Sequence, residues 1–163
     1  MDRPIKRTSS GLAPKALSGN ESYDNKGKVI LKTISQKLGI WPDDRILVVN
    51  AEDKVLNRIK EEVKGEAEFV AECQPDEKFP MVLIWLREGD DATAIANKYK
   101  QMIDQIGQLW FFFPKREMMR RDRLTNTRET ITLDVMRARL ETTKICSIDA
   151  ETQALGFVLP LRD

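Results

Sequence analysis

The sequence predicts an α/β fold of the Rossmann-like, three-layer type, with a mostly parallel sheet and an antiparallel hairpin at its C-terminal end. Apolar runs typical of strands that are covered on both faces recur at Arg45–Asn50, Met81–Leu86 and Leu109–Phe113. Segments with helical periodicity separate most of these runs, and this alternation is typical of a parallel sheet with helices on its faces. The chain has 163 residues, which is enough for one domain with its own core.

The N-terminal stretch differs in composition from the rest of the chain. Residues 1–27 are rich in Ser, Gly, Asn, Pro and Lys and show no sustained periodicity. Such a stretch buries too little apolar surface to offset the entropy of ordering it. We therefore interpret residues 1–27 as a disordered or mobile arm and residues 28–163 as a single α/β domain.

The order of the predicted elements follows from apolar spacing, caps and turn residues. The first half of the chain is predicted to form a helix through Ile30, Leu31, Ile34 and Leu38 that ends before Gly39, a strand over Arg45–Asn50, a helix over Asp53–Lys64, and strands over Ala67–Glu72 and Met81–Leu86. The next helix bears Ala92, Ile95, Ala96, Tyr99, Ile103 and Ile106 and is capped by Asp90 or Asp91. It is followed by a strand over Leu109–Phe113, a helix over Glu129–Leu140, and strands over Lys144–Ile148 and Ala154–Leu159. The short polar turn before the last strand predicts an antiparallel pair. Between Glu72 and Met81 there is no room for a crossover helix, but an extended chain can run back, so we predict that these two strands are parallel.

Composition excludes several classes of function. Lys and Arg number 27 and Asp and Glu number 26, so the net charge favours no particular partner. The chain has no histidine, which removes the commonest general base and the commonest metal ligand. No apolar run is long enough for a membrane span, the start lacks a signal-peptide core, and Cys73 and Cys146 are typical of reduced thiols, so we expect a cytoplasmic protein without a metal site.

The order of strands and helices resembles a trimmed class I methyltransferase sheet. In such folds the first strand runs into a turn that approaches a nucleotide-type ligand. Here the turn is Asn50-Ala51-Glu52-Asp53, which lacks glycine and carries two carboxylates that repel phosphate but tolerate a ribose or an amine. One interpretation makes Asn50, Glu52 and Asp53 a site for the ribose of S-adenosylmethionine. The simpler one is that Asp53 caps the helix and Asn50 closes the turn.

Several stretches, taken in order, resemble a bacterial family called domain of unknown function 3052. They are Lys37-Leu38-Gly39-Ile40, Arg45–Ala51, Phe79–Leu86, Leu109-Trp110, Pro114-Lys115, Lys144–Asp149 and Phe157-Val158. The resemblance extends roughly from Val29 to Val158 and implies a Rossmann-like, methyltransferase-like shape without an established activity. This chain departs from the family at Gln153–Gly156, where a Trp-Ser-Gly-like turn is usual, and is longer and more basic after Lys115.

A basic loop follows the aromatic strand. Between residues 115 and 128 there are six positive residues and two negative ones. The residues that we predict to bind an anion are Lys115, Arg116, Arg120, Arg121 and Arg123, because the loop follows the carboxyl end of a core strand. The alternative is a solvated loop that pairs with acidic residues such as Glu62 and Glu68. Trp110–Phe113 are predicted to be core rather than a stacking surface.

Two classes of function remain. We prefer a non-catalytic Rossmann-like module, without a cofactor, that binds a small anion or an acidic protein partner through the basic loop. The alternative is a divergent methyltransferase that uses S-adenosylmethionine. Nucleic-acid binding is a weaker third hypothesis, because the total charge is near zero and the aromatic residues are predicted to be buried. Cys146 lies in a predicted strand without a base beside it, so we interpret it as a core residue.

Overall fold

The computed structural model describes residues 21–23, 29–115 and 127–160 of the chain. In chain order the elements are β1 (Glu21–Tyr23), β2 (Val29–Leu31), α1 (Ile34–Leu38), β3 (Arg45–Val49), α2 (Asp53–Val63), β4 (Glu68–Val70), β5 (Phe79–Trp85), α3 (Ala92–Tyr99), a 3-10 turn (Lys100–Met102), β6 (Ile103–Pro114), α4 (Arg128–Arg137), β7 (Glu141–Ser147) and β8 (Thr152–Val158).

The main sheet has six strands in the order β4-β3-β5-β6-β8-β7. The first four strands are parallel, and β8 is antiparallel to both of its neighbours, β6 and β7. This arrangement confirms the predicted Rossmann-like fold with its C-terminal hairpin. Because β4 and β5 both pair in parallel with β3, they are parallel to each other on opposite sides of it, as predicted. The segment 71–78 joins them without a crossover helix.

Two apolar clusters fill the two sides of the sheet. On one side, α1 and α2 bury Leu38 and Ile59 against Trp85 and Trp110 of the sheet. On the other side, α3 and α4 contribute Ala96, Ile131 and Val135, which pack with sheet residues such as Phe111 and Phe113. The fully buried side chains of this kind each contribute roughly 1.5–3 kcal/mol relative to exposure. The prediction that Trp110–Phe113 are core residues is therefore confirmed.

The predicted helix through Ile106 is too long. Asp91 caps it as expected, since its Oδ1 accepts a hydrogen bond from the backbone N–H of Ala94 at 3.2 Å. The helix ends at Tyr99, and Ile103 already pairs with Phe79 as the first residue of β6. Ile103 and Ile106 continue the helical spacing, but pairing with β5 satisfies the backbone there and overrides the local pattern.

The first helix begins later than predicted. Thr33 forms a capping box with Gln36, so α1 starts at Ile34, and residues 29–31 form β2 instead. Gly39 ends the helix in the left-handed conformation, with φ of 82°, as predicted from its position. Residues 21–23 of the predicted arm form β1, which pairs antiparallel with β2; no other residue of the arm is among those described. No helix in the described part of the chain is long and apolar enough to cross a membrane.

Gly156 in β8 provides a test of how tightly the C-terminal hairpin packs. A Cβ at this position would lie 2.7 Å from Oγ1 of Thr143 and 3.0 Å from the ring of Trp110. We expect Gly156→Ala to lower the free energy of unfolding by roughly 1–3 kcal/mol, because the fully buried indole ring cannot move aside. Urea unfolding measures the change. Adding Thr143→Ala should restore part of the loss, and a loss under about 0.5 kcal/mol, as at a surface site, would contradict the packing.

Candidate functional site at the carboxyl ends of the strands

The strand order reverses at β3. The chain passes from β3 to β4 on one side and returns to β5 on the other, so the carboxyl ends of β3 and β5 lie side by side where the two connections diverge. In open parallel sheets, ligands bind outside the carboxyl ends of the strands at such a switch point. The candidate site therefore lies at the carboxyl ends of β3, β4 and β5 and in the residues that follow them.

The turn after β3 carries the first group of candidate residues. Asn50 has φ of 56° and closes the turn in the left-handed conformation, which confirms the role predicted for it. The N-cap position of α2 is Glu52, which makes no side-chain capping bond, and Asp53 is the first helical residue. The prediction that Asp53 caps the helix is therefore wrong. Both carboxylates are exposed, and the first N–H groups of α2 lack a side-chain acceptor from the N-cap residue.

Glu72 is a further acidic residue at this edge, and it was missed from the sequence. It follows β4, which pairs with β3, and it is exposed. In dinucleotide-binding folds an acidic residue about 20 positions after the first turn bonds the ribose hydroxyls. Glu72 has about this spacing from Asn50, but the spacing identifies it as a candidate only once β4 is known to lie beside β3.

Trp85 ends β5 at the same edge and holds an unusual buried donor. Its side chain is only 6% exposed, and its ring stacks on Phe112 with centroids 4.1 Å apart. Its Nε1–H is buried without a hydrogen-bond partner in the described chain, whereas Nε1–H of Trp110 donates to Oε1 of Gln108 at 3.0 Å. A buried donor without a partner costs about 1–3 kcal/mol, so it calls for a functional or solvent explanation. Trp85 therefore packs in the core and also holds a buried donor for which no described residue is the acceptor.

Lys115, the first residue of the basic loop, is half-buried rather than solvated. Its Nζ donates to Oγ of Ser147 at 2.6 Å, and its backbone N–H donates to the carbonyl of Glu151 at 2.9 Å. The carbonyl of Ser147 in turn accepts a hydrogen bond from Nζ of Lys37 at 2.8 Å. Two ammonium groups from α1 and from the end of β6 therefore meet at one serine. Sequence reasoning missed Lys37 because 110 positions separate it from Ser147.

The other predicted anion-binding residues, Arg116, Arg120, Arg121 and Arg123, lie outside the described residues. Two of the acidic residues that the loop was expected to pair with have partners in the described part of the chain. Glu68 pairs with Arg45 at 3.2 Å, and Glu62 with Arg58 at 3.8 Å. These two carboxylates are thus engaged within the described part of the chain.

Lys37 lies in a costly environment for a charge. It is 9% exposed, and burial is the main reason that its pKa is lowered. The positive charges of Lys115 and Arg58 lower this pKa further, while Cys146 and Glu62 raise it. Because the unfolded lysine keeps its proton up to a higher pH, the contribution of Lys37 to stability is present at alkaline pH and is lost as pH falls through the lowered pKa. The protonated form of Lys37 therefore lowers the stability of the folded protein relative to the neutral form.

A different depression lies at the opposite edge of the sheet. Its volume is about 880 Å³, and its cationic lining residues are Lys78, Lys100 and Arg139. Nζ of Lys78 donates to the carbonyl of Gln101, and Nζ of Lys100 donates to that of Ala138 at 2.8 Å. These carbonyls follow the last turns of α3 and α4, where cations complement the helix dipole. Within the described ranges no cluster of acidic or cysteine side chains is suited to a metal ion.

Comparison with known proteins identifies the fold. No family model and no curated relative matches the chain, so the resemblance to domain of unknown function 3052 stays a prediction. Among solved structures, CalO1, a methyltransferase in calicheamicin biosynthesis in its S-adenosylhomocysteine-bound form, matches with a TM-score of 0.57 and 13% identity over 78% of this chain and 52% of that one. The mitomycin 7-O-methyltransferase MmcR matches with a TM-score of 0.51 and 9% identity over 72% and 49%.

A third structure, the N-methyltransferase NodS from Bradyrhizobium japonicum WM9, has a TM-score of 0.49 and 12% identity over 74% of this chain and 87% of that one. The chain has a Rossmann-like fold of the class I methyltransferase type. The preferred interpretation as a non-catalytic module that binds an anion or a protein through the basic loop is contradicted, because the similar structures are methyltransferases. The comparisons favour the alternative that we drew from the sequence.

The two cysteines test the environment described around Lys37. Cys146 is 3% exposed, its Sγ–H donates to the carbonyl of Lys37 at 3.6 Å, and burial raises the pKa of its thiol. Cys73 is half-buried. We expect a thiol reagent at mildly alkaline pH to modify Cys73 in the native protein and Cys146 only after unfolding, because the thiolate is the reactive form.

Mass spectrometry after timed modification measures the order of reaction. Cys73→Ser should leave the native protein unreactive. The folded Cys146 keeps its proton at a pH where the unfolded thiol has lost it, so its contribution to stability falls as pH rises through the raised pKa. Modification of native Cys73→Ser protein as fast as of the unfolded chain would contradict the burial of Cys146.

Proposed function

We propose that this chain is a methyltransferase-type enzyme that binds S-adenosylmethionine at the switch point between β3 and β5. The observation that carries the proposal is that acidic side chains and a buried indole donor, for which the described residues offer no partner, lie at the edge of the sheet where this fold binds ligands. Acidic residues follow both β3 and β4 there, namely Glu52, Asp53 and Glu72. The cofactor would supply an electrophilic methyl group to an acceptor.

The residues at this edge fit the chemistry of the cofactor. S-adenosylmethionine has no phosphate; it carries an ammonium, a sulfonium, a carboxylate and ribose hydroxyls. Exposed carboxylates attract the two cationic groups and accept hydrogen bonds from hydroxyls. The N–H groups that begin α2 are suited to the carboxylate of the cofactor, since helix N-termini favour anions. The lack of glycine is offset in part by Asn50, whose left-handed conformation makes the turn a glycine would make.

Individual roles follow from position. Glu72 would bond the ribose, because it follows the strand beside β3 at the spacing typical of that role. Glu52 and Asp53, which we also assigned to the ribose from the sequence, lie nearer the start of α2 and would hold the cationic groups. Nε1–H of Trp85 would donate to an acceptor atom of the bound ligand, which would supply the hydrogen bond that no described residue makes to this buried donor.

Affinity for S-adenosylhomocysteine tests the assignment of Glu72. We expect Glu72→Gln to weaken binding about tenfold, because a neutral amide replaces a carboxylate that accepts hydroxyl bonds, which is about 1.4 kcal/mol. Isothermal titration calorimetry on the full chain measures the affinity. Glu141→Gln is the matched control, since Glu141 is also exposed but begins β7 at the opposite edge. Equal losses in both variants, or no binding by the wild-type chain at millimolar ligand, would refute the proposal.

The indole N–H signals test the role of Trp85. On addition of S-adenosylhomocysteine, the Nε1–H resonance of Trp85, assigned through Trp85→Phe, should shift in a ¹⁵N-correlation spectrum. The resonance of Trp110 should stay in place, because that N–H already donates to Gln108. A shift of Trp110 alone would show that the ligand binds elsewhere. Trp85→Phe should also weaken binding while it keeps a ring against Phe112.

A further inference from the structure

We propose that Lys37, Lys115 and Ser147 hold an anionic group, a carboxylate or a phosphate, of the small molecule that receives the methyl group. The proposal rests on the proposed function and names the class of acceptor. The three residues come from α1, from the end of β6 and from the end of β7, and are hereafter called the lysine–serine site. None of them belongs to the residues that would hold the cofactor.

The first reason is that two ammonium groups, those of Lys37 and Lys115, bind to the same serine. Nζ of Lys115 bonds Oγ of Ser147 and Nζ of Lys37 bonds the carbonyl of the same residue, at 2.6 and 2.8 Å. The positive charge of Lys115 lowers the pKa of Lys37, so the two ammonium groups repel each other, and such repulsion is stronger for a buried charge than for an exposed one. Lys37 is 9% exposed, so water screens it little. An anion bound between the ammonium groups would remove this cost.

The second reason is that the nearby carboxylates are already used. Glu62 raises the pKa of Lys37, but its Oε1 accepts the backbone N–H of Ser35 at 2.8 Å and its other oxygen faces Arg58. In the turn after β7, Oδ1 of Asp149 accepts the backbone N–H groups of Glu151 and Thr152, both at 2.8 Å. Glu62 and Asp149 therefore already accept other hydrogen bonds, and among the described residues positive charge is in excess at the lysine–serine site.

The third reason is that the site offers donors suited to an oxyanion. Each lysine ammonium has three N–H groups, and the hydrogen bonds to Ser147 use one from each. The hydroxyl of Ser147 accepts from Lys115, so its own proton is available to a ligand. Lys115 and Ser147 are both half-buried, which leaves them reachable and partly shielded from water. Hydrogen bonds between charged groups in such a setting are the strong kind.

The position of the site suits an acceptor. Adjacent strands lie about 4.8 Å apart, so the middle of the gap between β3 and β5 lies on the order of 7 Å from the end of β6 and on the order of 17 Å from Ser147 at the end of β7. An acceptor whose anionic group binds at the lysine–serine site would therefore extend from the cofactor past the end of β6. The acidic residues follow β3 and β4, and the lysines lie on the side of β6 and β7. A cationic cofactor and an anionic acceptor are thereby directed to different halves of the same edge.

The test uses simple probes that differ in charge. Benzoate and phenyl phosphate carry the two candidate oxyanions, and benzamide is the neutral control of similar shape. On the full wild-type chain without cofactor, NMR titration should show one or both anions binding, with a dissociation constant of roughly millimolar for ligands of this size. Benzamide should bind at least tenfold more weakly. Binding should weaken as salt rises. The stronger of the two anions identifies the acceptor as a carboxylic acid or a phosphate ester.

Variants locate the binding. Lys115→Met should lower the affinity for the anion at least tenfold, and Ser147→Ala, which keeps both lysines, should lower it several-fold. Lys100→Met is the matched control, because Nζ of Lys100 is also half-buried and makes a similar bond, to Ala138, at the opposite edge. Circular dichroism establishes that each variant is folded. Equal binding of benzoate and benzamide, or equal losses in Lys100→Met and Ser147→Ala, would overturn the proposal.

Titration in the presence of S-adenosylhomocysteine separates this proposal from the proposed function. Simultaneous binding of the anion and S-adenosylhomocysteine supports both. Competition between them would place the anion in the cofactor site and overturn the present proposal alone. Anion binding at the lysine–serine site without any binding of S-adenosylhomocysteine would overturn the assignment to a methyl acceptor. Binding of S-adenosylhomocysteine without anion binding would leave the proposed function and refute this one.

Discussion

Pairing of β3 with a parallel strand on each side is the constraint on which the rest of the structure depends. Ile46 and Leu47 pair with β4 and with β5, so the backbone of β3 is satisfied on both edges and its side chains are buried on both faces. Every parallel strand then ends at the same edge, and the connections after β3 and β5 diverge there. The turn at Asn50, the acid at Glu72 and the indole of Trp85 all lie at this edge because of that single reversal of order.

Charge is distributed unevenly along this edge. Exposed carboxylates follow β3 and β4, while Lys37 and Lys115 meet at Ser147 on the side of β6 and β7. The chain as a whole carries a net charge of only +1, so its composition hides this separation. In a methyltransferase such an edge would match a cationic cofactor with an anionic acceptor.

Much of the fold could be predicted from local patterns, because β3, β5 and the core of β6 are continuous apolar runs that only a covered strand explains. The apolar pattern gave a wrong prediction where the same residue spacing fits both a helix and a strand. Ile103 and Ile106 fit a helix that continues from α3, yet pairing with β5 makes them part of β6. For the site, Asn50 and Lys115 could be found because each follows a recognisable strand. Glu72, Lys37 and Ser147 could not be grouped with them, since strand order and contacts over 110 positions are tertiary properties.

The most direct test of the account is a crystal structure of the full chain with S-adenosylhomocysteine. We expect ligand density outside the carboxyl ends of β3 and β5, with the ribose within hydrogen-bonding distance of Glu72 and an acceptor atom within reach of Nε1 of Trp85. Density in the depression beside Lys78 and Arg139 at the opposite edge, or crystals that stay free of ligand at millimolar concentration, would contradict it.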